Sequence, residues 1–265
     1  MTKKTMLSAA ALLACTVFAG EIYKAEIENL FPPARVQLKD GVFRAAGKSI
    51  FFRSRIPFAV DPAKKYTVSG EFRFPGTKPG TFYLGLMPLT GKNWPISPEN
   101  IHVTPGTETT LAAPAAVGDK SLKIADGEKW DNKWIACAVA FDVKDDCADL
   151  PNMVCAAMKK GSVKKNGDVW EVELAKPLAK AFAAGTRVRQ HRSGGTFIYS
   201  TLRRKKDITG DWQKFSGTVT GMTKNTRSDS QFWPGAAKAY AIVLTTGGSD
   251  DTVMEFRDLK VEEAQ

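Results

Sequence analysis

Six tryptophans, two histidines and scattered acidic and hydroxyl residues are the side chains with which this chain could do chemistry. Trp94 stands in the polar, proline-bearing run Gly91-Lys92-Asn93-Trp94-Pro95, and Trp130 and Trp134 bracket Trp130-Asp131-Asn132-Lys133-Trp134. A flat ring flanked by amides and charges suits a sugar, which offers a C–H face and a rim of hydroxyls at once. Trp94, Trp130 and Trp134 are therefore the candidate platforms, with Asn93 and Asn132 as candidate hydroxyl partners. A small core would use Trp130 and Trp134 equally well. Trp212 and Trp233 lie inside strand phrases, and Trp170 alternates with Val172 and Leu174, so these three read as structural.

Bond-breaking chemistry finds less support. His191-Arg192-Ser193-Gly194-Gly195 lacks the Gly-x-Ser-x-Gly frame of a nucleophile elbow. His102 and His191 lack the close second ligand expected of a zinc site, and Asp145, Asp146 and Asp149 lack an EF-hand frame. A glycosidase needs two positioned carboxylates, and no phrase singles out a pair. Cys137, Cys147 and Cys155 permit three single disulfide pairings and leave one thiol over; buried free thiols are equally natural.

The 265 residues are 43% hydrophobic and 10% aromatic, enough to bury a core and to exclude disordered, collagen-like and coiled-coil classes. Lys3 and Lys4 precede an apolar run from Met6 to Phe18, which predicts a signal peptide over residues 1–20 and a secreted, periplasmic or cell-surface protein. Leu12-Leu13-Ala14-Cys15 carries a competing reading, a lipoprotein anchored through Cys15. No later run approaches the roughly 20 apolar residues of a membrane span, so no transmembrane segment is expected in the mature chain. The formal net charge is +10. Export argues against nucleic acid as its partner. Arg203-Arg204-Lys205-Lys206, Lys159-Lys160 and Lys164-Lys165 read either as solvated turns or as attraction to an anionic glycan or envelope polymer.

These residues must be positioned by strands. Tyr66 to Phe74 alternates large apolar with small or charged residues, turn signals follow at Pro75-Gly76 and Lys78-Pro79-Gly80, and Thr81 to Met87 returns, which predicts an antiparallel hairpin. Asp40-Gly41 separates Val36 to Leu38 from Val42 to Arg44 as a second hairpin turn, with a further strand at Ile50 to Arg53. Late strands are expected at Lys214 to Thr220, Ala237 to Thr245 and Thr252 to Val261. The near-continuous apolar run Ala239 to Leu244 predicts a central strand covered on both sides. The stretch from Val103 to Ser200 differs in character, with strands at Ile135 to Phe141, Val169 to Leu174 and Gly185 to Arg189, and a helical turn or two over Pro177 to Ala184. It reads as an insertion, a β-rich subdomain over 103–200 interrupting a body made of 21–102 and 201–265.

Three phrases in this order, Tyr66 to Arg73, Asp211 to Thr218, and Phe232-Trp233-Pro234-Gly235 with Phe256 to Val261, resemble the strand motifs of galactose-binding-like jelly rolls, including carbohydrate-binding modules of families 4, 9 and 22. The resemblance implies an all-β fold, an antiparallel jelly-roll β-sandwich, carried by exported glycan-active proteins. The inserted stretch is similar to small β-rich modules of bacterial surface and phage tail proteins. Such jelly rolls often hold a structural calcium between the first and last strands, which implies Asp258, Glu26 and Asn29 as ligands here. The expected function is an exported, non-catalytic binding protein that engages a polysaccharide or envelope glycan through exposed aromatic residues. The alternatives are a structural or adhesive envelope component that contacts another surface protein, and a glycoside-cleaving enzyme with an unrecognised carboxylate pair.

Overall fold

Period-two alternation drives the whole molecule, because a strand with one apolar row must bury that row against another sheet. The structure, a computed structural model, describes residues 20–264 except 134, 196, 199–202 and 205–207. Its strands begin with β1 (Gly20–Lys24), β2 (Leu30–Phe31), β3 (Gln37–Lys39), β4 (Val42–Ala46), β5 (Phe51–Ser54), β6 (Phe58–Ala59), β7 (Lys65–Arg73) and β8 (Thr81–Leu89), followed by the short helix α1 (Pro98–Ile101). A middle group comprises β9 (Thr109–Thr110), β10 (Ser121–Ile124), β11 (Cys137–Phe141), β12 (Cys155–Ala157), β13 (Lys164–Asn166), β14 (Val169–Glu173) and β15 (Arg187–Arg192). The described chain closes with β16 (Arg203–Arg204), β17 (Gln213–Thr220), β18 (Lys238–Thr246) and β19 (Val253–Ala264).

The fold is all-β. In the body, the first sheet has the order β17-β7-β19-β4-β3 with β1 beside β19, and the second has the order β16-β8-β18-β5-β2 with β6 beside β18. The strands of both sheets pair antiparallel. Phenylalanines form the seam between them: Phe52 stacks on Phe256 at 4.8 Å, and Phe82 meets Phe72 at 4.8 Å and Phe215 at 5.1 Å. Ring pairs at such spacings add about 0.5–1.5 kcal/mol each to the area they bury.

Asp40 and Gly41 both take positive φ, 52° and 75°, and close the β3–β4 hairpin with Lys39 opposite Val42, as their residue types predict. The expected hairpin of Tyr66–Phe74 with Thr81–Met87 is corrected. β7 and β8 belong to different sheets and face one another across the core. The Phe72, Phe74 and Phe82 rings meet there, and the linker carrying Pro75 and Pro79 crosses from sheet to sheet instead of folding back.

The middle group forms two small sheets, β12-β11-β15-β9 and β10-β14-β13, around a separate core that includes Leu122, Ile124, Val139, Val172 and Val188. Phe141 stacks on Phe182 at 3.9 Å in this core. Pro177 to Ala184 is not helical, which corrects that expectation. Its backbone instead bonds to the 115–119 segment, with Leu178 N donating to Asp119 O and Phe182 N to Ala115 O, so the apolar residues Leu178 and Phe182 are buried by pairing.

A buried polar joint holds the small sandwich to the body. Arg189, fully buried, donates from Nη2 to Asp149 Oδ2 at 2.6 Å, from Nη1 to Lys144 O at 3.1 Å and from Nε to His191 Nε2 at 2.8 Å. His191 Nδ1 therefore carries the proton and donates to Glu99 O of α1 at 2.7 Å. Asn100 on the same helix exchanges bonds with Asn152, Nδ2 to O at 3.0 Å and Asn152 N to Asn100 O at 2.8 Å. Breaking a buried ion pair by removing one partner typically costs about 3–5 kcal/mol, so Arg189 and Asp149, both in the small sandwich, hold in place the His191 and Asn152 side chains beside them, the two residues that bond to α1.

Burial holds the His191 pKa down to about 4, with the Arg189 guanidinium acting in the same direction. The unfolded histidine takes up its proton near pH 6.5, roughly its ordinary value. Stability is therefore complete above about pH 6.5 and declines as the pH falls toward 4, by on the order of 3 kcal/mol. The urea midpoint should fall over that window. His191→Gln, which keeps a donor and an acceptor, should flatten the fall, and an unaltered pH profile in the variant would refute this origin.

Candidate functional site

The outer face of the second body sheet is built by residues left over from core packing. Ala239, Ala241 and Val243 of β18 enter the body core, which turns Lys238, Tyr240, Ile242 and Leu244 outward. The same alternation turns out Phe51 and Arg53 of β5, Met87, Gly85 and Tyr83 of β8, and Phe31 of β2. Register aligns them: Tyr240 lies opposite Met87, Ile242 opposite both Arg53 and Gly85, Leu244 opposite Phe51 and Tyr83, and Phe31 opposite Arg53. From Lys238 to Leu244 the row runs about 20 Å at roughly 3.4 Å per residue.

Coverage of this face is uneven. Phe197 reaches over β18 to within 5.9 Å of the Phe51 ring, and Ile242 beneath is fully buried. Toward the other end, Tyr240 and Arg53 are half-buried and Phe31 is 45% exposed. The Arg53 guanidinium lies 3.8 Å from the Tyr240 ring centre and 4.8 Å from that of Phe31. Its Nη1 donates to Ser54 O at 2.9 Å and Arg55 O at 3.3 Å, which fixes the guanidinium between the two rings.

Trp94 stands at the open end. A turn after β8 brings Thr90 N to Trp94 O at 2.9 Å and Asn93 N to Thr90 O at 2.9 Å, with Asn93 at φ 64°. Asparagine tolerates that left-handed conformation better than most residues. The Trp94 indole is 53% exposed, and Lys92 Nζ lies 5.9 Å from its ring centre. Lys238 Nζ donates to Asn93 Oδ1 at 2.9 Å, which ties this turn to the outward row of β18.

The two body sheets differ in charge. The six strands of the second contain no Asp or Glu and four Lys or Arg residues, Arg53, Arg203, Arg204 and Lys238. On the first sheet positive and negative groups neutralise each other: Glu255 takes Arg44 at 3.0 Å and Arg73 at 2.6 Å, and Glu71 takes Arg257 at 2.6 Å. The Trp212 ring packs on the guanidinium groups of both Arg73 and Arg257, 4.7 and 4.5 Å from its centre.

Of the predicted platforms, Trp94 is exposed and Asn93 sits beside it. Trp130 is buried in the core of the small sandwich, and its Nε1 donates to Thr107 O at 2.8 Å, which corrects its place among the platforms and follows the alternative that a small core uses it. Asn132 is corrected likewise: buried, it donates to Lys159 O at 2.6 Å and accepts from Ser162 N at 3.2 Å, binding two loops of the small sandwich. Trp134 lies outside the described residues, as do the leader with Cys15 and the Lys205-Lys206 half of the basic cluster. Trp233 is buried in the body core and Trp170 packs half-buried against the small one. Phe31, Arg53, Tyr240 and Lys238 were not singled out from the sequence.

Two of the implied calcium ligands, Asn29 and Asp258, stand in different surroundings. Asn29 Oδ1 already accepts from Tyr23 OH at 3.2 Å and Glu26 N at 3.0 Å, and its amide donates to Lys24 O at 2.8 Å, so Asn29 is a capping residue with no oxygen to spare. Asp258, at φ 50° in a bulge of β19, opens into a polar depression of about 260 Å³ that it shares with Glu21, Glu71, Lys24, Lys214 and Lys260. Among the described residues no three His, Cys, Asp or Glu side chains cluster around one ion position.

The remaining candidates have structural partners. The Val103–His191 bridge brings His102 beside His191, but both His191 ring nitrogens are engaged. Ser193 Oγ donates to Glu99 Oε2 at 3.1 Å. Asp145 pairs with Arg187, Asp146 caps Ala148 N and Asp149 balances Arg189. Cys137, Cys147 and Cys155 are free thiols, and burial raises Cys137 to about 11 and Cys155 to about 12, far from the thiolate form.

The two tryptophans are separable by denaturation. Trp130→Ala should cost about 3–5 kcal/mol, as for other buried large rings, whereas Trp94→Ala should stay within about 0.5 kcal/mol. Equal losses would place both rings in the core. The chain matches no protein-family model and no curated protein.

Proposed function

We propose that this is an exported, non-catalytic polysaccharide-binding protein whose ligand lies along the outer face of the second body sheet, with Trp94 at one end. The observation that carries the reading is two partly open rings on one sheet face, Tyr240 and Phe31, with Arg53 between them, together with the exposed Trp94 on a turn that carries Lys92 and is tied to Lys238 of that face. Rings of this kind accept the C–H faces of sugars, and the groups between them reach the polar substituents. The apolar leader supports export, and the resemblance of the strand phrases to carbohydrate-binding jelly rolls points the same way. Cleavage of a glycosidic bond calls for two carboxylates about 5–10 Å apart, and the strands of this sheet supply none among their residues.

A second reading, an adhesive envelope component, is favoured by one feature. An apolar groove of about 350 Å³ on the small sandwich is lined by Met153, Val154, Pro177, Leu178 and Phe182. Met153 and Val154 are both more than a third exposed there.

The glycan reading is tested by affinity electrophoresis through gels containing a panel of polysaccharides. At least one polymer should retard the wild-type protein, and Trp94→Ala and Tyr240→Ala should each weaken that retardation at least tenfold without product release. Retardation unchanged in both variants would sink it.

A further inference from the structure

We propose that the polymer is a polyanion, a polysaccharide bearing uronate carboxylates or sulfate esters; this rests on the glycan reading above. The grounds are the kind of hydrogen-bonding group the face presents. A neutral sugar hydroxyl both donates and accepts, so sites for neutral glycans need acceptors as well as donors, whereas a carboxylate or sulfate only accepts. Lysine and arginine only donate. On this face the charged groups beside the rings are Lys92, Lys238 and Arg53. The amide oxygen of Asn93, an acceptor next to Trp94, is already taken by Lys238.

The charge balance leads to the same ligand. Among the described residues Lys92, Lys238 and Arg53 have no carboxylate within ion-pair distance, while the arginines on the outer face of the first sheet are matched by Glu71 and Glu255. An unmatched row of positive groups repels itself. It is a stable arrangement when solvent and salt screen it, and it concentrates polyanions near the surface. Arg53 is prepared for this role: two backbone carbonyls and two rings hold its plane, so little side-chain freedom is lost when an anionic group binds its remaining N–H edge.

The test compares polymers that differ only in charge: polygalacturonate against its fully methyl-esterified form, and dextran sulfate against dextran, with poly(dT) as a polyanion whose charges are phosphodiesters and not acidic groups on a pyranose chain. Retardation by polygalacturonate or dextran sulfate should exceed that by the neutral counterpart at least tenfold and should weaken at least tenfold between 50 and 500 mM NaCl. Whichever polymer acts identifies the acidic group. Arg53→Gln with Lys238→Gln should lose at least tenfold of that binding. The control Lys160→Gln with Lys164→Gln, on exposed positions of the small sandwich, should keep it. Circular dichroism of each variant checks that it is folded. Equal retardation by charged and neutral forms, untouched by the face variants, overturns the anionic assignment and leaves the glycan reading standing. Binding that falls equally in the control pair, or that poly(dT) matches, overturns the anionic-glycan site in favour of unspecific attraction. No retardation by any polymer, charged or neutral, overturns both.

Discussion

A single layer of phenylalanine rings, pressed between two sheets, sets the terms for every other part of the body. Phe52, Phe72, Phe82, Phe215 and Phe256 fill one seam, and a strand that contributes to it has no freedom over its inward row. Chemical variety is thereby confined to the outward rows. The two sheets use that freedom differently: one carries a lattice of matched charges, the other rings beside Arg53 and Lys238, which have no carboxylate within ion-pair distance among the described residues. Since core packing is indifferent to this choice, the contrast belongs to what each face meets.

The polar joint and the candidate face are joined by very little chain. Pro95 bridges to Leu89 and Ile96 N bonds to Pro88 O, so the backbone leaving Trp94 is pinned along the end of β8 before Ser97 starts α1. That helix is held in turn, at Glu99 and Asn100, by Asn152, His191 and Ser193 of the small sandwich. Trp94 is thus pinned by the Thr90 turn before it and by the pairing of Pro95 and Ile96 with the end of β8 after it. An exposed indole on a fixed turn loses little freedom on binding, which favours affinity over a ring on a loose loop.

Much of the fold was legible in the sequence because alternation and turn residues are local signals. Asp40-Gly41 encodes its own hairpin, and the strands at 37–46, 65–73, 213–220, 238–246 and 253–264 follow the expected pattern closely. What local pattern does not carry is partner choice. Phe72, Phe74 and Phe82 would serve a hairpin or a pair of facing sheets equally well, and only the global packing decides. The site divided along the same line. Trp94 was legible because a Pro- and Gly-bearing polar run keeps a ring outside, while Trp130 and Asn132 sit in a run just as polar whose groups are consumed by Thr107, Lys159 and Ser162. Arg53, Phe31 and Tyr240 are invisible singly, being brought together by registers among three strands distant in sequence.

The point where the small sandwich leaves and rejoins the body has a kinetic meaning. Val103 bridges His191, and Thr104 N and Arg192 N bond across the same pair of segments, so the interruption begins and ends at one place. An unfolded excursion between β8 and β16 would be a long loop to close. Once the small sandwich has formed, the effective loop is roughly fourfold shorter, and the logarithmic dependence of closure entropy makes that worth about 1 kcal/mol. Assembly that begins in the middle of the chain therefore delivers the paired strands β8 and β16 of the second body sheet to each other, and the interruption becomes a staple instead of a burden.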